Sequence, residues 1–146
     1  MSSVNSSGDT GFLSMETRIK YLRIALFVFG LFLIFALSTF VFWLWPAGWA
    51  WGWQEGWHSH YVYMILSMFA VMGVMFLFAI RDPLAYASLI WFAVWSSIAH
   101  ACVMLVLALR EEAERGHLVG DIPMLFIMAA TFAILMPRGA RTDRRT

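Results

Sequence analysis

Four long apolar runs leave this chain few ways to fold. They lie at about Tyr21–Trp45, His60–Ile80, Leu84–Leu109 and Ile122–Met136. A helix needs roughly 20 apolar residues to cross about 30 Å of hydrocarbon. The last run is short, but it reaches if its helix takes in Gly120 and Asp121. A backbone in lipid must satisfy its own hydrogen bonds, which restricts it to helices or a closed barrel. The runs are continuous rather than alternating, so helices are expected. The sequence predicts an all-α polytopic membrane protein with four transmembrane helices in an antiparallel bundle.

Composition agrees. Hydrophobic residues make up 62% of the chain and charged residues 13%, outside the usual range of soluble domains. The 146 residues divide into a tail at 1–17, a membrane domain at 18–138 and a basic tail at 139–146. The expected spans are about 21–45, 58–80, 84–109 and 120–137. The first is too long in its apolar core for a signal peptide and reads as a retained helix. Net charge is +1, with basic residues split between the two tails, so no nucleic-acid surface is expected. The single cysteine, Cys102, falls inside the third span and cannot close an internal disulfide.

Arginine and lysine set the orientation. Arg18, Lys20 and Arg23 precede the first span, Arg81 lies between the second and third, and Arg138, Arg141, Arg144 and Arg145 follow the fourth. The connection from Pro46 to Ser59 has neither residue. The third connection balances Arg110 and Arg115 against Glu111, Glu112 and Glu114. The positive-inside rule then places both termini in the cytoplasm and the first and third connections outside.

The stretch from Met1 to Asp9 reads as disordered, and Phe12 to Lys20 as an amphipathic lead-in at the membrane surface. The first connection concentrates Trp43, Trp45, Trp49, Trp51, Trp53 and Trp57. Tryptophan favours the headgroup layer, where its ring is buried and its N–H stays wet. An interfacial belt is the plain reading, and a lid over an outer site the alternative. Arg81-Asp82-Pro83 reads as a tight turn, with Asp82 as N-cap and Pro83 in the first turn of the third helix. That makes spans two and three an antiparallel hairpin. Four terminal arginines can meet anionic lipid.

Ionisable groups at membrane depth are costly and therefore carry functional hypotheses. His100 is the deepest, one turn from Ser96 and Ser97 and one turn before Met104. At 1.5 Å per residue, His100 and Asp121 each stand roughly 25 Å above the cytoplasmic ends of their spans, and His60 and His117 roughly 31 Å. Four residues from three helices thus share one outer slab, with His58 and Glu55 just above. Each also has a structural explanation. Asp121 suits the N-cap of the fourth helix, His117 a solvated loop, His58 and His60 the headgroup level, and His100 a buried neutral ring bonded to Ser96, a carbonyl or Asp121. Taken together, imidazoles and a carboxylate suit Zn, Cu, Fe or Ni. His60 and His100 could instead ligate a haem iron from facing helices. A third chemistry is proton handling by His100 and Asp121.

Three segments carry a resemblance: His58-Ser59-His60-Tyr61-Val62-Tyr63-Met64, Ser88-Leu89-Ile90-Trp91-Phe92-Ala93-Val94-Trp95-Ser96-Ser97-Ile98-Ala99-His100, and Arg115-Gly116-His117-Leu118-Val119-Gly120-Asp121-Ile122-Pro123. Together they resemble a family of small bacterial four-helix membrane proteins catalogued as a domain of unknown function. The resemblance runs from about Arg18 to Arg138 and leaves out the Trp-rich connection and the basic tail. It implies four spans in a bacterial inner membrane and brings no activity with it.

No phosphate loop, zinc-protease helix or hydrolase signature is present, and the cytoplasmic half is too apolar for a transport path through one copy. The sequence therefore leads to an outer-leaflet site that binds a metal, haem or small ligand through His60, His100, His117 and Asp121, with His58, Ser96, Ser97, Met104 and Glu55 around it. The alternative is an accessory or assembly subunit of a larger membrane complex or homo-oligomer, packing through small residues such as Ala129, Ala130 and Ala133. A metal-dependent membrane enzyme is a further alternative.

Overall fold

A computed structural model describes residues 14–35 and 60–137. Glu55, His58 and all six tryptophans of the first connection lie outside the described residues, as do both terminal tails. Among the described residues the fold is all-α, with four helices: α1 (Met15–Leu31), α2 (His60–Ala79), α3 (Ala87–Arg110) and α4 (Asp121–Leu135). A 3₁₀ helix, Glu112–Leu118, joins α3 to α4.

The first helix begins earlier than the apolar run suggests. Ser14 caps it, its Oγ accepting from the Thr17 N–H at 3.3 Å, and Glu16 adds favourable charge in the first turn. The lead-in is therefore continuous with the span from Met15 onward. At its other end α1 passes into π-type turns at 32–35.

The turn between α2 and α3 also differs from the expected one. Asp82 does act as a cap, but of the turn itself, its Oδ1 accepting from the Ala85 N–H at 3.2 Å. Residues 83–86 stay in that turn, and α3 starts only at Ala87 with no side-chain cap. Four more residues in the connection relax the hairpin. The close helix pairs are α1 with α2, α3 with α4, and α1 with α4. α2 and α3 meet through side chains, as Phe69 and His100 do.

Two kinds of contact hold these pairs. The first is close backbone approach. Gly30 and Gly73 are buried where α1 crosses α2, and a Cβ on Gly73 would lie 2.6 Å from the Gly30 carbonyl oxygen and 2.8 Å from Ile34 Cγ1. Only a residue without Cβ fits there. On α3 the buried face is small as well, with Ala93, Ser97, Ala101 and Ala108 all under 5% exposed. That lets α4 come close. Ala129 and Ala133 on α4 are used the same way, inside the bundle.

The second contact is aromatic. Phe132 of α4 is fully buried and meets Phe29 of α1 and Phe76 of α2 edge-on, at centroid distances of 5.4 and 5.2 Å. Edge-to-face pairs of this kind add to the packing energy. Around them Leu22, Leu26, Ile90, Val94 and Met136 complete a core drawn from all four helices. A smaller cluster, Ala101, Ala108 and Ile122, lies between α3 and α4 toward the 3₁₀ helix.

Gly73→Ala is expected to loosen the α1–α2 crossing and lower stability in detergent by about 1–3 kcal/mol, as overpacking does. Gly30→Ala should cost less, because its nearest neighbour is the flexible Leu77 Cδ2 at 3.0 Å. Thermal unfolding of both variants checks the order. A Gly73→Ala protein as stable as wild type would refute the crossing.

Candidate functional site

The third connection folds into a 3₁₀ helix, and that choice builds the site. Three residues per turn eclipse side chains at i and i+3, so Glu114 lies directly over His117. Asp121 follows one turn later as the first residue of α4. The ring of His117 sits between these two acids. Its Nδ1 lies 2.7 Å from Asp121 Oδ2 and its Nε2 lies 3.2 Å from Glu114 Oε2. The imidazole side chain is 4% exposed, Glu114 34% and Asp121 45%. A buried polar ring is costly unless its nitrogens are satisfied, and here both have partners within seven residues of chain.

The burial of His117 corrects the expectation of a solvated loop residue. The 3₁₀ helix packs on α3 and touches α4, which covers the ring. The N-cap expected of Asp121 is also not formed. Gly120 stands at the cap position without a side-chain bond, and the Asp121 carboxylate turns back to His117 instead. Its charge still suits the positive end of α4. The nearby Arg115–Glu112 pair, 3.0 Å apart and mostly exposed, is a surface ion pair of little weight.

His100 takes no part in this cluster. It is half-buried on α3, on the shoulder of the Ala93–Ser97–Ala101 face, and its ring packs against Phe69 of α2 with centroids 6.2 Å apart. Ser96 does not serve it, since the Ser96 hydroxyl donates to the Ala93 carbonyl at 3.3 Å. Ser97 is buried, and Met104 packs on the smaller apolar cluster of Ala101, Ala108 and Ile122. His60 begins α2, nine residues before Phe69, which is about 13 Å farther along the helix axis. Its side chain lies outside what the structure describes.

The structure thus brings together His117 and Asp121 and adds Glu114, which composition alone had set aside as loop charge. The signal was available in the spacing Glu114-x-x-His117-x-x-x-Asp121, which puts all three on one side of a helical turn. Among the described residues no group of three His, Cys, Asp or Glu side chains is arranged to hold a metal ion. The reason is visible at His117, whose two nitrogens face different carboxylates and so do not converge on one point with them.

Residues 16–145 match the family model described as a family of unknown function, DUF6632. The chain belongs to that family. The match takes in the Trp-rich connection and most of the basic tail, beyond the segments that carry the resemblance in sequence. No curated protein and no solved structure matches the chain.

His117→Ala is expected to destabilise the protein by about 1–3 kcal/mol, because it strips two acids of a partner and leaves a void under the 3₁₀ helix. Asp121→Asn should cost less, since the amide oxygen can still accept from the ring. A double-mutant cycle on the pair measures the coupling. Independent, additive effects would show that the short contact contributes nothing.

Proposed function

We propose that this DUF6632 member is a four-span integral membrane protein of a bacterial inner membrane, both tails cytoplasmic, that acts as a non-catalytic accessory subunit. In this reading the Glu114–His117–Asp121 cluster is a latch that fixes the outer connection across α3 and α4. The observation that carries it is the enclosure of His117, whose two ring nitrogens are both engaged by neighbouring acids. No ring nitrogen is left over for an outside ligand.

Several features support the membrane part. Two helical stretches, α3 (Ala87–Arg110) and Glu114–Leu135, the latter running from the 3₁₀ helix into α4, are long and apolar enough to cross a membrane. The core helix of a soluble protein would be mostly buried, yet these are 28% and 22% buried. Their outward faces carry Phe92, Trp95, Val103, Leu109, Ile127 and Ile134, all about half exposed or more. Apolar surface on that scale suits lipid. Hydroxyls on the helix exteriors are satisfied at home, Ser67 donating to the Met64 carbonyl and Thr131 to the Ile127 carbonyl, both at 2.7 Å. That is how a hydroxyl is accommodated where water is absent. The basic residues of the α2–α3 turn and the tails support the orientation.

A second reading keeps a haem or metal ligated by His60 and His100. It is favoured by one observation: the His100 ring faces Phe69 of α2, the helix that His60 begins.

The two readings part on purified protein. The accessory reading predicts no metal at stoichiometric level, no visible absorption band, and a partner that co-purifies in mild detergent and is lost in His117→Ala. A stoichiometric metal or a haem band abolished by His100→Ala would replace it with the second reading.

A further inference from the structure

At the opposite end of the bundle from the latch, α1 carries an arginine where its buried face calls for an apolar residue. That face runs through Leu22, Leu26 and Leu33, all under 5% exposed, and Arg18 stands one turn before Leu22 along it. Its guanidinium Nε is buried and meets no acceptor among the described residues. A buried donor without a partner costs free energy, and a shielded one cannot recover it from bulk water. Arg23, nearby on the same helix, reaches over to the α2–α3 turn, donating to the Arg81 carbonyl at 3.3 Å. Arg18, Lys20, Arg23 and Arg81 therefore gather at one end of the molecule. The acids there among the described residues are Glu16 and Asp82, and Asp82 Oδ1 already accepts from the turn.

We infer that Arg18, at the end of the bundle that also carries Arg23 and Arg81, binds the phosphate of an anionic phospholipid in the leaflet there. The inference rests on the membrane-spanning reading above. Phosphate is the complementary group because a guanidinium presents parallel N–H donors that match two phosphate oxygens, here through its terminal nitrogens, Nε being sealed by the protein. A headgroup lies where the donor is, at the level where the bundle core ends and water begins. The anionic leaflet adds attraction for each basic side chain near it. The chain's own continuation is a poor competitor. Beyond Pro137 it carries Arg138, Arg141, Arg144 and Arg145 against the single acid Asp143, so it repels this corner on balance.

The test uses the full-length protein in mild detergent, with bound lipid read by native mass spectrometry. Phosphatidylglycerol, phosphatidylcholine and inorganic phosphate are the probes. The site predicts retention of phosphatidylglycerol over phosphatidylcholine and no effect of inorganic phosphate. Arg18→Gln should weaken phosphatidylglycerol binding about fivefold, and the exposed Lys20→Gln should weaken it less. Arg18→Lys, which keeps the charge and removes the fork, should lose much of the preference and also serves if Arg18→Gln does not fold. Equal retention of both lipids, or equal losses in the Arg18 and Lys20 variants, would overturn the site. A protein that needs detergent yet shows no lipid preference sinks this inference alone. One that stays monodisperse without detergent sinks the membrane reading with it.

Discussion

In the lipid environment proposed for this chain, helices gain little by hiding apolar side chains from one another. What remains is van der Waals contact, and that grows steeply as backbones approach. The fold depends on this at two places. Gly30 and Gly73 let α1 and α2 cross with almost no gap, and a face of alanine and serine on α3 does the same toward α4. Phe132 then joins the two pairs through its edge-on contacts with Phe29 and Phe76. The architecture is two tight pairs held by one aromatic hinge point, rather than a ring of equal contacts.

The two ends of the bundle solve opposite electrostatic problems. At the α3–α4 connection, an imidazole and two acids satisfy one another within a few residues, and the ring is sealed beneath the 3₁₀ helix. At the end that carries the α2–α3 turn, basic residues outnumber acids among the described residues, and one guanidinium nitrogen, Arg18 Nε, meets no acceptor among them. In the accessory role proposed above, the self-contained latch at one end and the cationic corner at the other are the two places where surroundings would hold the protein.

Helix number and class were legible from the apolar runs, because long continuous hydrophobicity admits almost no other structure. The close pairing was not. Nothing in the run lengths says that α2 and α3, joined by a short turn, pack less intimately than α3 and α4. That outcome rests on Asp82 capping a turn instead of a helix, and on where small residues fall. The histidines were legible as notable but not as partners. Counting residues placed His117 and Asp121 at similar depths, and they do touch. Glu114 reads from composition as one of three loop acids, and only its i,i+3 spacing to His117 marks it as a partner. For His100 the sequence offers a bond within its own helix, a bond to Asp121 or a place opposite His60 on the second helix; its ring meets Phe69 of that helix.

Side-specific thiol labelling tests the central claim most directly. In a Cys102→Ser background, single cysteines replace Glu112 in the α3–α4 connection and Arg81 in the α2–α3 turn, and intact cells are treated with a membrane-impermeant reagent. A membrane protein whose latch faces outward labels at position 112 in intact cells, and at position 81 only after the cells are opened. Labelling of both positions only after opening, or of position 81 from outside, would contradict the account.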